Sequence, residues 1–176
     1  MAAFGANYPC FLATGKTTGV VLGKLVSANL TVNNATGELY ADDILAENVS
    51  EFSSGSIAME VDNLSDDVAS AIFGCEVSDG VATYAADDEA PEGGLAYYKS
   101  LMVNGRKKYR AYYYPRVRAA VGNDSASTKG SSISFQTDSV EFTVMALADT
   151  KAWKQTEEFA TSEEAVTWIK SQCKVS

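Results

Sequence analysis

The tightest constraint on the fold of this 176-residue chain is a dipeptide, Asn104-Gly105, set inside LAYYKSLMVNGRKKYRAYYYPRVR (residues 95–118). A two-residue type I′ turn needs positive φ at both central positions, and Asn-Gly meets that need with the least steric strain. The pair therefore predicts a β-hairpin. After the turn the pattern alternates. Arg106, Lys108, Arg110, Tyr112, Tyr114, Arg116 and Arg118 fall on one face, and Lys107, Tyr109, Ala111, Tyr113, Pro115, Val117 and Ala119 on the other. Positive charge thus forms a stripe along one side of a strand. Pro115 has no amide hydrogen to give to a ladder, which places the strand at an edge or a bulge there.

That stripe is out of keeping with the rest of the chain. The formal net charge is −9, from 14 Lys+Arg and 23 Asp+Glu. Residues 93–123 contain no acidic residue and seven of the fourteen basic ones, so the remainder sums to 7 − 23 = −16. Three readings of the stripe stand open: a solvated strand face, a track for nucleic acid, or one half of an electrostatically complementary protein interface. Tyrosines among basic residues suit stacking on single-stranded bases, and they equally suit ordinary strand packing. Self-association accounts for both the positive window and the negative remainder, because unlike faces of one chain can meet head to tail. Nucleic-acid binding accounts for only the first.

Hydrophobic content of 46% and aromatic content of 10% fit a packed core in one domain spanning residues 1–176. The chain has no histidine, which removes the commonest general base and every Ser-His or Cys-His nucleophile pair. Cys10, Cys75 and Cys173 are far apart and form no C-x-x-C pair, so neither a zinc knuckle nor a disulfide framework is indicated. Gly15-Lys16-Thr17 ends like a phosphate-binding loop, but Cys10 stands where that loop needs glycine and TGVVLGKL follows where it needs a helix. A small nucleotide-binding enzyme is the weakest of the candidate readings. The acidic pairs Asp42-Asp43, Asp66-Asp67 and Asp87-Asp88 lack calcium-loop spacing or a partnered base. No cofactor or metal is expected. The N-terminal MAAFGANYPC lacks a signal-peptide pattern and no apolar run reaches bilayer length, which predicts a soluble intracellular product without a membrane segment. The N-x-[ST] triplets at Asn29, Asn34, Asn48, Asn63 and Asn123 carry no weight without secretion.

Along the chain, Ala28, Leu30 and Val32 alternate with polar neighbours, as do Ile57, Met59 and Val61, and both runs predict strands. Between them lies a long acidic loop, residues 38–54, with Asp42, Asp43, Glu47 and Glu51. Its Leu39, Tyr40, Ile44, Leu45 and Phe52 suggest that it docks on something. NLSDDVASAIFG predicts a short helix capped by Ser65 and ended by Gly74. An acidic connector, SDGVATYAADDEAPEGG, leads into the hairpin. GNDSASTKGSS reads as a loop, followed by strand runs through Ile133 and Phe135, then Val140, Phe142, Val144 and Ala146. TSEEAVTWIKSQC (161–173) predicts a C-terminal helix with a Thr161–Glu164 capping box and an apolar stripe of Ala165, Trp168, Ile169 and Cys173. Six or seven strands with two short helices make a mainly β protein, a sandwich or barrel with a flanking helix and a C-terminal helix.

Taken in order, these segments resemble the major tail (tail tube) proteins of long-tailed bacteriophages, particularly those of Gram-positive hosts. GELYADDILAEN is similar to that family's FYADD loop, and GSIAMEVDNLSDDVASAIFG to its strand leading into a glycine-ended helix. RKKYRAYYYPRVR resembles its strand with a tyrosine and a late basic residue, and TKGSSISFQTDSVEFTVMALAD its following strand pair. The resemblance covers residues 38–150. It implies a β-sandwich subunit that forms hexameric rings, stacked into a tube whose acidic lumen lets DNA pass during infection. It also implies tape-measure and tail-terminator proteins as partners, and a virion product assembled in the bacterial cytoplasm. On this reading Arg110, Arg116 and Arg118 meet Asp42, Asp43 and Glu47 of another subunit, with Glu51 in the same acidic segment. The inner tube of a phage-like contractile injection particle shares the implied fold. A single-stranded nucleic-acid binding β-barrel is the alternative from a different class.

Overall fold

A computed structural model describes residues 2–41, 44–122 and 137–176. The elements in chain order are β1 (Ala2–Ala13), β2 (Val20–Val21), β3 (Leu25–Ala41), β4 (Ile44–Val61), α1 (Asp66–Phe73), β5 (Glu76–Ser78) and β6 (Val81–Thr83). β7 (Glu92–Val103), β8 (Arg106–Val121), β9 (Asp138–Val144), β10 (Gln155–Phe159) and α2 (Ser162–Cys173) follow. The protein is mainly β, built on one antiparallel sheet with two helices. Its strand order is β2-β1-β7-β8-β9-β4-β3, with β10 also paired to β8.

The sheet is rolled. Residues 22–24 alone connect β2, at one end of the strand order, to β3 at the other. The Leu22 amide donates to the Pro9 carbonyl at 2.9 Å, and the Lys24 amide to Asp62 Oδ1 at 2.7 Å. Both ends of the sheet therefore come together around an apolar interior. That interior holds Phe11, Leu22, Ile57, Met59, Val61, Leu95, Tyr97, Tyr114, Val117, Val140, Phe142 and Val144, and α1 closes one side of it with Ala69, Ile72 and Phe73. Gly74 ends α1 in the left-handed conformation, with φ of 77°. Ser65 takes the N-cap position, though its side chain accepts no hydrogen bond there.

The outward face of β1, β7 and β8 forms a second, smaller core. Cys10, Ala96 and Ala111 leave a shallow strip, and α2 lays Ala165, Ile169 and Cys173 along it, one per helical turn. The helix is fixed at its start by the expected capping box. Thr161 Oγ1 accepts from the Glu164 amide at 3.3 Å, and Glu164 Oε2 accepts from the Thr161 amide at 3.2 Å. Its far end presses the Cys173 carbonyl against Gly19, where a Cβ would lie 2.2 Å from that oxygen. Trp168 leaves the core strip and meets Tyr113 and Phe159 at its border.

Several expectations need correction. Residues 38–41 and 44–54 are strand, not loop. β3 and β4 pair from Leu25↔Val61 out to Ala41↔Ile44, so this segment is the distal half of one long hairpin. The acidic connector contains a small hairpin, β5–β6, around Asp79-Gly80. β1 and β10 were not anticipated. The Gly15-Lys16-Thr17 segment turns between β1 and β2, two antiparallel strands, with no helix after it. The expected strand through Ile133 and Phe135, and most of the loop before it, lie outside the described residues.

Candidate assembly surface

Only residues 55–61 of β4 pair with β9. Beyond Gly55 the β3–β4 hairpin leaves the body as a two-stranded ribbon. Residues 31–38 and 48–51 are all exposed, so both faces of the ribbon meet solvent. From Asn33 to Ala41 the strand rises about 26 Å at ~3.3 Å per residue. An isolated two-stranded ribbon is marginal in water because neither face buries apolar surface. At its root Phe52 lies flat on Trp153, with ring centroids 4.3 Å apart and planes 3° from parallel. Trp153 comes from the excursion between β9 and β10, which occupy successive stretches of the same edge of β8.

The stripe of charge on β8 is also not what alternation predicts. Leu95 pairs with Tyr114 but Gly93 pairs with Val117, so Pro115 and Arg116 together oppose Gly94. This is a β-bulge, the outcome that Pro115 signalled. It reverses the facing of everything after it. Tyr112 and Tyr114 share the interior with Val117 and Ala119, so Arg106, Lys108 and Arg110 run along the inward side while Arg116 and Arg118 run along the outward one. One expected stripe is two separate patches.

Each patch has its own carboxylate. Glu92 Oε2 accepts from Arg116 Nε at 2.9 Å, and Glu92 Oε1 accepts from Arg118 Nη2 at 3.3 Å. Arg116 also donates to the Ala146 carbonyl at 3.3 Å. The hydrogen bond from Arg116 is the main cause that holds the Glu92 carboxyl below its ordinary value. On the other patch Arg110 is ion-paired to Glu158, its cross-strand neighbour on β10, and Lys108 lies 3.8 Å from the same carboxylate. The Arg110 hydrogen bond lowers the Glu158 pKa in the same way.

Within the chain, Arg110, Arg116 and Arg118 meet the carboxylates Glu158 and Glu92. Asp42 and Asp43 lie outside the described residues, as does the side chain of Glu47, while Glu51 is exposed on the ribbon. Three of the segment's tyrosines are committed to packing. Tyr97 and Tyr114 are 1% exposed with hydroxyls 3.4 Å apart, and Tyr113 is covered by Trp168. Sequence reasoning missed Glu92 and Glu158 as partners. Glu92 was legible in principle, since counting outward from Asn104-Gly105 with one bulge residue at Pro115 sets it opposite Arg118.

Among the described residues no three His, Cys, Asp or Glu side chains come together as a metal-binding group, and no helix is long and apolar enough to cross a membrane. No protein-family model matches the chain, and no curated protein matches it at a significant level.

Proposed function

We propose that this protein is a structural subunit that assembles with copies of itself, the repeating unit of a phage tail tube, with no catalytic role. The observation that carries the reading is the ribbon of β3 and β4 beyond Gly55, whose residues 31–38 and 48–51 are paired yet exposed. A structure of that kind gains most of its stability from a surface outside its own chain. The charge distribution points the same way, because an acidic body with a confined basic segment favours contact between unlike faces of identical copies. The order of segments that resembles tail tube proteins narrows the assembly to hexameric rings stacked around a DNA conduit in a virion. The inner tube of a contractile injection particle is the same proposal with a different sheath. A single-stranded nucleic-acid binder is the weaker reading, because Tyr97 and Tyr114 lie in the core and Tyr113 lies against Trp168, which takes three of the segment's tyrosines out of any stacking platform.

Negative-stain microscopy of the purified chain over a range of concentrations tests this reading, and rings or tubes are the expected result. Particles that remain monomeric at every concentration, together with a salt-dependent shift of a labelled oligonucleotide, would overturn it.

A further inference from the structure

The β7–β8 hairpin carries opposite charge at its two ends. Residues 99–110, around the turn, hold Lys99, Arg106, Lys107, Lys108 and Arg110 and no carboxylate. Residues 62–92, which run through α1 and the β5–β6 hairpin to the start of β7, hold nine Asp and Glu and no Lys or Arg. Of those nine, Glu92 alone belongs to an ion pair among the described residues. Tyr84, Ala85 and Asp88 line one cleft with Ala119, Ala120 and Val121, the last residues of β8, so this acidic lobe sits at the end away from the turn. β7 runs about 36 Å between the two ends at ~3.3 Å per residue, and neither end reaches the other within one molecule.

Exposed apolar side chains gather at the same two ends. Eight large ones are exposed among the described residues, and five of them divide between the turn, with Phe4 and Met102, and the lobe, with Val81, Tyr84 and Val121. At the turn they make a patch across three strands. Phe4 pairs with Ser100 and Met102 with Lys107, and Lys107 Nζ lies 5.6 Å from the Phe4 ring centroid and 5.3 Å from that of Tyr109. Neither Lys107 nor its neighbour Arg106 is in an ion pair among the described residues. On the lobe, β5 and β6 pair with each other and with no other strand, and Glu76, Ser78, Val81 and Thr83 make their exposed face. Each end thus has an apolar centre with charge beside it, the make-up of a protein contact surface, and the two charges are opposite.

We propose that the patch of Phe4, Met102, Lys107 and Tyr109 at the turn of β7–β8 receives the β5–β6 hairpin of a second copy of the chain. The proposal rests on the self-assembly reading and names a contact within it. Val81 and Tyr84 of one copy cover Phe4 and Met102 of the next, and Glu76 and Asp79 face Lys107 and Arg106. The two surfaces differ and lie at opposite ends of the molecule, so the contact repeats in one direction, head to tail. A patch of this size does not hold two chains together by itself. It works beside the ribbon, and its charges fix which end of one copy meets which end of the next.

The test places thiols at the two exposed centres of the full chain. Met102→Cys and Val81→Cys, each alone, should form no covalent dimer under diamide, since Cys10, Cys75 and Cys173 are buried. Mixed, they should give a disulfide-linked dimer, and the double variant a ladder of covalent oligomers. Arg106→Glu with Lys107→Glu should raise the concentration needed for assembly at least about fivefold in sedimentation velocity, since like charges then face each other. Adding Glu76→Lys with Asp79→Asn, which keeps a residue tolerant of the positive φ of 52° at that turn, should recover most of the loss. Far-UV circular dichroism checks the fold, and Arg106→Gln with Lys107→Gln serves where the reversed pair does not fold. Wild-type assembly without a mixed cross-link, or with single variants cross-linking as readily as the mixture, would overturn this contact and leave self-assembly standing. A wild-type chain that never assembles would instead overturn the reading beneath it. If no cross-link forms and the charge reversal abolishes binding of a labelled single-stranded oligonucleotide, the turn is a phosphate site and the proposal fails.

Discussion

Glu92 receives hydrogen bonds from Arg116 and Arg118 at once, at 2.9 and 3.3 Å, across the strand pair that the Pro115 bulge brings into register. The arrangement makes a pH prediction with a definite sign. Arg116 depresses the folded-state pKa of Glu92 below its ordinary 4.5. A depressed carboxyl stabilises the fold in full above its unfolded value, and that contribution is lost as pH falls through the folded value. Wild type should therefore lose melting temperature between pH 5 and 3 more steeply than Glu92→Gln, about pH windows set by ordinary carboxylates. Calorimetry across that range checks it, and parallel curves would refute the assignment.

The ribbon can be removed without touching the core. Replacing residues 36–50 by Asn-Gly joins the paired Ala35 and Glu51 through a two-residue turn. The truncated protein should melt within about 3 °C of the parent, because none of the described core residues is lost. It should also remain monomeric where the parent assembles. Light scattering beside a thermal melt separates the two effects, and assembly that survives truncation would rule the ribbon out as the contact.

Covering the outward strip is worth a measurable amount. Ile169 is fully buried between α2 and the strands at Cys10, Ala96 and Ala111. Ile169→Ala should cost about 2–5 kcal/mol in urea unfolding, the range for a buried Ile truncated to Ala. A loss below about 1 kcal/mol would mean that α2 is only loosely held.

Two thiols report on the same contact. Burial pushes the Cys173 thiol up to about 12 and raises Cys10 further still. The thiolate is the reactive form, so both should be inert to a disulfide reagent at pH 8 in the folded protein. Their modification should begin only at denaturant concentrations that release α2. Prompt labelling of two or more thiols in native buffer would contradict the packing.

The parts of the fold legible in the sequence are those set by neighbours in the chain. Asn104 and Gly105 adopt positive φ, 48° and 74°, as the turn requires, and the Thr161–Glu164 box starts α2 where expected. The ribbon was not legible as strand, because period-two alternation marks a strand only when one face is buried. Residues 31–38 bury neither face. β1 hid for a different reason. Gly5 and Tyr8 take positive φ at register shifts against β7, and each irregularity interrupts the alternation. The ion partners of the arginines depend on register across strands, so the expected trio appeared as one stripe facing one partner. Bulge geometry divides it between Glu92 and Glu158.

The clasp between β1 and α2 also sets an order of events during synthesis. The Cys173 thiol rests against the Cys10 carbonyl, 163 residues earlier in the chain, at 3.6 Å. Contacts of such separation form late, after the loop between them has closed. As the chain leaves the ribosome, the outward strip of β1, β7 and β8 stays bare until residues 162–173 emerge. A product cut short before that point would keep an apolar strip open to chaperones and proteases. Docking of α2 is thus the step that closes the strip.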